Sequence, residues 1–357
     1  MEVEKNDIEY IHTRAREEFE TLAGNTVLFT GANGFLGYYF IKSILAWNDI
    51  YPNKNIRIYA LDNFPAGIPK WLSKRNDLKI LKKDVTKYKP SINLVFDYII
   101  HAASIASPIF YRKYPIETIN ANVLGLYNIL GYMVKRKKTK RGVKGLLFFS
   151  SSEIYGDPTE DNIPTPETYR GNVSCTGPRS CYDESKRFGE TLCVNYSKVY
   201  NLPIKTARPF NNFGPGLKIA DGRVIPDFAS DILQNKDITL LSQGSPTRTF
   251  CYITDALVGY IKILIKGRRG EAYNIGVERE EISIIDLAEK MKNIAAKIFG
   301  YSGKIIRKMS KDQDYLTDNP NRRCPQIAKA KKELEYDPQI TLDEGLTNIL
   351  LWYRKNY

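Results

Sequence analysis

The sequence predicts an α/β protein, a parallel doubly wound sheet followed by a smaller C-terminal α/β region that faces a substrate. Three observations carry this expectation. Short apolar runs alternate with stretches of helical periodicity over residues 26–208, as βαβ units require. The first run leads through a glycine-rich turn, Gly31-Ala32-Asn33-Gly34-Phe35-Leu36-Gly37, into a helical stretch. Beyond Arg208 the alternation loosens into shorter elements rich in Gly, Pro and polar residues. The expected division is an N-terminal helical extension at 1–24, a dinucleotide-binding domain at 25–208 with segments of about 244–275 returning to it, and a substrate region at 209–357.

In chain order, residues 8–22 mix charges with apolar residues at helical spacing, predicting an outer amphipathic helix. The strand 26–30 and the glycine turn follow. Glycines there let the backbone turn tightly and come close to a pyrophosphate at a helix N-terminus. Gly31, Asn33, Gly34, Phe35, Leu36 and Gly37 are therefore candidate cofactor residues, although G-x-x-G-x-x-G is not the G-x-G-x-x-G spacing of the usual dehydrogenase fingerprint. The strand 56–61 ends in Asp62-Asn63, where a carboxylate can accept from both ribose hydroxyls and repel a 2′-phosphate, favouring NAD over NADP. Asp84-Val85, after the strand 78–81, is placed to meet the adenine, and the strand at 97–101 runs into Ala102, Ala103 and Ser104, small enough to let a cofactor pass. Asn122 lies in the helix expected at 116–134, and Arg208 ends the strand at 204–208; both join the cofactor set.

Between them lies the stretch that points to chemistry. A buried strand at 147–149 runs into Ser150-Ser151-Ser152-Glu153, hydroxyls and a carboxylate at a strand's C-terminal end, where open α/β sheets bind ligands. Downstream, Tyr182 and Lys186 stand four residues apart, on one face of a helix. A phenol with an unperturbed pKa of about 10 is a poor base. A nearby ammonium and the positive ring of an oxidised nicotinamide both favour phenolate, so Tyr182 could take a proton from a sugar hydroxyl while a hydride leaves the same carbon.

Bulk properties narrow the field less. A chain of 357 residues with 43% apolar and 26% charged residues can bury a substantial core. The net charge of +13 suits an acidic ligand, nucleic acid or an anionic membrane alike. The densest basic run, at 135–141, has no interleaved aromatics and is expected at a helix end and turn, so neither a nucleic-acid nor a membrane partner is expected. No apolar run approaches the roughly 20 residues of a membrane span, and the charged N-terminus does not look like a signal peptide, so a cytoplasmic location is expected. Five cysteines without CxxC spacing and only two histidines, His12 and His101, point to reduced thiols and to no metal site.

Taken together, these residues resemble the extended short-chain dehydrogenase/reductase enzymes of nucleotide sugars, within them most of all the UDP-glucuronate decarboxylase (UDP-xylose synthase) family. The resemblance runs from about residue 27 to 353 and rests on Asp62-Asn63-Phe64, Ala106-Ser107-Pro108 with Tyr111 and Tyr114-Pro115, Ser151-Ser152-Glu153-Ile154-Tyr155-Gly156-Asp157-Pro158, Gly177-Pro178-Arg179-Ser180-Cys181-Tyr182-Asp183-Glu184-Ser185-Lys186-Arg187 and Asp221-Gly222-Arg223-Val224. It implies a Rossmann-like domain holding NAD, a UDP-sugar substrate and a homodimer formed through the helices at 116–134 and 182–200. It further implies that Tyr182 deprotonates the sugar 4-hydroxyl, that Ser151 hydrogen-bonds that oxygen and that Lys186 holds the nicotinamide ribose. Glu153 and Arg323 are then expected to act on the sugar carboxylate and the C5 proton, with Ser107, Tyr111, Asn211, Arg223, Val224 and Arg248 at the substrate. Ser152 discriminates: related 4,6-dehydratases carry an Asp there to protonate the leaving hydroxyl, and serine is a far weaker acid.

The sequence departs from the pattern at 65–69, at Pro246 and at Cys324. The expected reaction is decarboxylation of UDP-glucuronate to UDP-xylose. The alternatives are a 4-epimerase, a 4,6-dehydratase or a decarboxylase releasing the 4-keto-pentose. A non-catalytic dinucleotide-sensing or nucleic-acid-binding protein on the same fold is a further alternative, disfavoured by the presence of both Tyr182 and Lys186.

Overall fold

The computed structural model describes all residues except 1, 309, 311–313 and 315. Its centre is a parallel seven-stranded sheet built from β1 (Thr26–Thr30), β2 (Arg57–Asp62), β3 (Leu78–Lys82), β4 (Tyr98–His101), β5 (Gly145–Phe149), β6 (Ile204–Pro209) and β7 (Ala272–Ile275). The order across the sheet is β7-β6-β5-β4-β1-β2-β3. This is the doubly wound arrangement expected from the alternation, with β7 returning after a long excursion.

The central strands read as continuous apolar runs because both their faces are covered. Leu28, Ile99, Leu146 and Phe148 point into one core, and Val27, Phe29, Ile100, Leu147 and Phe149 into the other. The first core is closed by α5 (Pro115–Lys137), which follows the short helix α4 (Pro108–Lys113), and by α6 (Ser180–Tyr200), the second by α3 (Phe35–Ile50) and α8 (Ile253–Lys266). Pro115 opens α5 at a position where its missing N–H is no loss, and Lys135, Arg136 and Lys137 close it against the negative end of the helix dipole. The basic run at 135–141 is thus a helix end and turn, as expected. Asn201, in the left-handed conformation at φ 51°, stops α6.

The C-terminal region adds α7 (Val224–Leu233), α9 (Ile284–Phe299), α10 (Ala328–Leu334) and α11 (Leu342–Asn356). Thr341 and Glu344 form a reciprocal capping box at the start of α11. In a small three-stranded sheet Thr247–Arg248 is the middle strand, antiparallel to Ile282–Ser283 and parallel to Arg322–Arg323. Its register sets Arg248 directly opposite Arg323, so two guanidinium side chains far apart in sequence share one face.

The N-terminus departs from the single helix expected at 8–22. Two helices form, α1 (Glu2–Arg14) and α2 (Arg16–Leu22), broken at Ala15. The break brings Phe19 onto the Trp47 ring at 5.1 Å, with His12 edge-on to both. From α1, the buried Asp7 accepts hydrogen bonds from the hydroxyls of Tyr39 on α3 (2.5 Å) and Tyr252 before α8 (3.0 Å). Burial pushes the Asp7 carboxyl up to about 6, and the two tyrosine hydrogen bonds recover only part of that rise.

Because the folded state then holds this proton more tightly than the unfolded chain, the contribution of Asp7 to stability is most favourable below about pH 4 and is lost as pH rises to about 6. Asp7→Asn keeps an acceptor oxygen and removes the charge. The variant is expected to be more stable than the wild type at pH 7, by on the order of 2 kcal/mol, and to lose the slope between pH 4 and 6; thermal unfolding across that range checks both.

Candidate active site

Parallel strands place all their C-terminal ends along one edge, and the chain reverses its winding direction between β1 and β4, leaving a crevice there. The glycine turn lines it. Gly31 sits at φ +82°, where a Cβ would come within 2.8 Å of the Ala102 backbone, and a Cβ on Gly37 would meet the Ala32 carbonyl oxygen at 2.5 Å. No side chain caps α3 at Gly34, so Phe35, Leu36 and Gly37 open the helix with N–H groups facing the crevice edge. The Asp62 carboxylate accepts from the backbone N–H groups of Asn33 and Phe64, each at 3.0 Å, and is fixed at the tip of β2 with Asn63 beside it. Asp84 is locked in a turn by two 2.8 Å bonds from Thr86, and Val85 packs where a Cβ on Gly125 would lie.

Asn122 donates to Ser185 Oγ (2.8 Å), yet its own Oδ1 is buried with no hydrogen-bond partner among the described residues, as is Ser104 Oγ. Buried orphan acceptors and a backbone that tolerates no Cβ fit a dinucleotide laid along this edge. Arg208 is placed otherwise than expected. Nε and Nη2 grip Glu190 at 2.9 and 2.6 Å, while Nη1 serves Tyr155 and the Glu167 carbonyl, so its donors brace β6 against α6 instead of facing the crevice.

On α6, Tyr182 and Lys186 share one face, the Lys186 Nζ 5.6 Å from the Tyr182 ring centre. Lys186 donates to the Phe149 carbonyl at the end of β5 (2.8 Å). Burial pushes the lysine down to about 7 and the phenol up to about 12, Ser151's hydrogen bond to Tyr182 opposing the latter only in part. The expected pull of the ammonium on the phenol is thus outweighed in the protein alone: the dry surroundings penalise both charged forms. Tyr111 stacks on Tyr182, ring centres 5.1 Å apart and planes 14° from parallel. Ser151 also accepts from the Glu153 backbone N–H (3.2 Å), which caps the short 3-10 turn Ser152–Tyr155 and fixes where Glu153 points.

Glu153 is clasped from two sides. Arg323 forks onto both carboxylate oxygens at 2.5 Å, and Arg179, which directly precedes α6, bonds to Oε2. Burial alone would raise the Glu153 carboxyl; Arg179 and Arg323 together outweigh it and hold the group well below the usual carboxylate range. Asp183 goes the opposite way, raised by its own burial and by the Glu153 charge, although Arg179 Nε lies 3.7 Å away. Arg248, opposite Arg323, is held by the carbonyls of Thr247, Pro320 and Asn321 and forms no ion pair among the described residues. Burial and the neighbouring Arg323 lower it to about 9. The cluster therefore carries more buried positive than negative charge.

The remaining expected substrate residues rim this cluster. Arg223 pairs with Asp221 at 2.9 Å just before Val224 opens α7, Ser107 donates to the Asp221 carbonyl, and Asn211, at φ +40°, donates to the Thr249 carbonyl. The sequence alone gives Arg179 and Asp183 no role. Both lie in the motif around Tyr182, and the one signal available was that two charged residues flank a buried tyrosine.

Residues 27–276 match the NAD dependent epimerase/dehydratase family, and the chain belongs to it. More particularly, it is similar to UDP-glucuronic acid decarboxylase 3 of Arabidopsis thaliana, 35% identical over 324 residues that span 90% of this chain and 86% of that one. UDP-glucuronic acid decarboxylase 1 of Xenopus tropicalis is 34% identical over 333 residues, covering 92% and 72%. Among solved structures, an epimerase from Methanothermobacter thermautotrophicus superposes with a TM-score of 0.79 at 25% identity over 97% of this chain and 96% of that one. A UDP-glucose 4-epimerase from Thermotoga maritima shares the fold, with a TM-score of 0.77 at 21% identity over 93% and 99%.

Removing the charge of Glu153 leaves two buried guanidinia without their carboxylate. Glu153→Gln is expected to cost roughly 3–5 kcal/mol of stability, read as a lowered unfolding midpoint, and added sulfate should recover more of the midpoint in the variant than it adds to the wild type.

Proposed function

We propose that this protein is an NAD-dependent carboxy-lyase that converts UDP-glucuronate to UDP-xylose. The observation that carries the reading is the buried excess of guanidinium around Glu153. Arg179, Arg248 and Arg323 converge around Glu153, whose charge reaches Tyr182, and only one firmly ionised carboxylate answers them. An excess of this kind is stable when an anionic ligand completes it, and a sugar acid diphosphate brings both a carboxylate and a pyrophosphate. Similarity to decarboxylases over most of the chain supports the same reading. Ser152, buried where a dehydratase needs an acid, favours decarboxylation over water elimination.

Asp62, the glycine turn and the orphan acceptor of Asn122 would hold NAD, the fixed carboxylate of Asp62 disfavouring a 2′-phosphate. When bound in its oxidised form, NAD supplies the acceptor for the C4 hydride, the donor that later returns it, and a positive charge that favours phenolate at Tyr182. Tyr182 takes the 4-hydroxyl proton, with Ser151 sharing the oxygen. A ketone at C4 makes the C5 carboxylate a β-keto acid, so CO2 leaves as its bonding electrons enter an enolate that is then protonated at C5. Arg323 binds the carboxylate before it leaves. Held ionised, Glu153 orients hydroxyls or water as an acceptor and is a poor proton donor.

Incubation with NAD and UDP-glucuronate is expected to release CO2 and a UDP-pentose with no net change in NADH. Tyr182→Phe should reduce turnover by at least a thousandfold while leaving the NAD dissociation constant within about threefold. Turnover of a neutral hexose nucleotide but not of UDP-glucuronate would replace this reading with an epimerase.

A homodimer through α5 and α6 belongs to the same proposal. Ile116, Leu124 and Tyr127 on α5 and Phe188 and Val199 on α6 are exposed apolar side chains on two helices packed against each other, with Tyr127 edge-on to Tyr196 between them. Exposed apolar surface of this extent marks a contact face. Sedimentation velocity is expected to give a dimer for the wild type and a monomer for the Leu124→Glu, Phe188→Glu double variant.

A further inference from the structure

Glu153 and Arg179 lie on the same part of the fold, one on the turn after β5 and the other at the start of α6, whereas Arg323 reaches them from the C-terminal region, 170 residues along the chain. Arg179 is also fixed by more than its ion pair. Its guanidinium lies 5.8 Å from the centre of the Tyr111 ring, which stacks on Tyr182, and its Nε is 3.7 Å from Asp183. Among the described residues the Arg323 side chain, by contrast, makes its hydrogen bonds to Glu153 alone, and its buried Nε has no hydrogen-bond partner.

One bidentate arginine would already neutralise a carboxylate, and bringing a second guanidinium out of water is costly. The pair makes sense if the two arginines are not needed on Glu153 at the same time. Resting on the reading of the substrate as an acidic sugar nucleotide, we propose that Arg179 is a positioning residue that keeps Glu153 paired and in place while Arg323 transfers its fork from Glu153 to the carboxylate of the substrate. The transfer exchanges one carboxylate for another on Arg323, and neither Glu153 nor the incoming anion is left unpaired. Without Arg179, Glu153 would hold Arg323 as its only counter-ion, and an incoming carboxylate would have to break that pair and strand a buried charge.

The test measures dissociation constants for UDP-glucuronate and for UDP-xylose, which lacks the carboxylate, with NADH bound so that no oxidation occurs. In the wild type UDP-glucuronate is expected to bind more tightly. In Arg179→Gln its affinity should fall tenfold or more while that for UDP-xylose changes less than about threefold. Adding Glu153→Gln to that variant releases Arg323 and should restore most of the lost affinity. Arg179→Lys, which keeps the charge and guards against a glutamine variant that fails to fold, should show the same acid-selective loss in smaller measure.

Equal loss for both nucleotides in the glutamine or lysine variant, no loss for either, or no recovery in the double variant overturns the role of Arg179. A wild type that releases CO2 from UDP-glucuronate keeps the proposed function standing whichever way those ratios fall. A wild type that neither releases CO2 nor prefers the acidic nucleotide removes both.

Discussion

The structure turns on a buried carboxylate shared between two guanidinia. Charged groups taken out of water lose several kcal/mol of hydration each, and only close, well-directed pairing offsets the loss. Glu153 is positioned for such pairing by the turn that Ser151 caps, Arg179 by the start of α6, and Arg323 by a two-residue strand whose register also sets Arg248 beside it. The turn after β5 and the start of α6, neighbours in the fold, meet a strand of the C-terminal region at this point. Their meeting ties the C-terminal region to the strand ends of the sheet, beside the backbone hydrogen bonds that join Thr165 to Cys324 and Gln326.

The same dryness governs the Tyr182 and Lys186 pair. Burial drives the phenol upward and the ammonium downward, so both lean toward their neutral forms in the protein alone. A phenol in this state is a weak base, and an amine lowered to about 7 carries only part of its positive charge at neutral pH and activates the phenol less than a full ammonium would. Local positive charge therefore has to arrive with the ligands for proton abstraction to become favourable, which ties the chemistry to a filled site. Lys186 remains anchored to the Phe149 carbonyl in the meantime, its Nζ held at the end of β5.

Much of this was legible in the sequence, for identifiable reasons. Parallel strands covered on both faces must be apolar throughout, so β1, β4 and β5 stood out as runs, and Gly31 and Gly37 stood out because no Cβ fits where the turn touches Ala102 and Ala32. The clasp was only half legible. Glu153 and Arg323 were marked, but their direct pairing spans 170 residues, and periodicity carries no information about which distant charges meet. Arg179 passed unassigned because an arginine next to a helix start is unremarkable until a carboxylate is found against it. Arg208 misled for the same reason in reverse: its strand-end position suggested the crevice, while Glu190, one helix away, claims the side chain.

The N-terminal helices extend the reasoning to the cofactor edge. They lie before the segment matched by the family, yet they grip the helix that opens at the glycine turn. Glu4 pairs with Lys42 (2.8 Å) and bonds to Tyr38, the residue after Gly37, and Tyr38 in turn packs edge-on against Trp71 and Trp352. Asp7 ties Tyr39 to Tyr252, and Tyr10 donates to Asp255 on α8 at 2.6 Å. Helix α3 is thus held from the N-terminus, from the C-terminal helix and from the start of α8 at once. A helix whose first turn must present free N–H groups to a ligand cannot use a side-chain cap of its own. Bracing it along its length is the remaining way to hold that turn still, and the polar contacts of α1 with Tyr38, Tyr39 and Lys42 do so one turn behind the crevice.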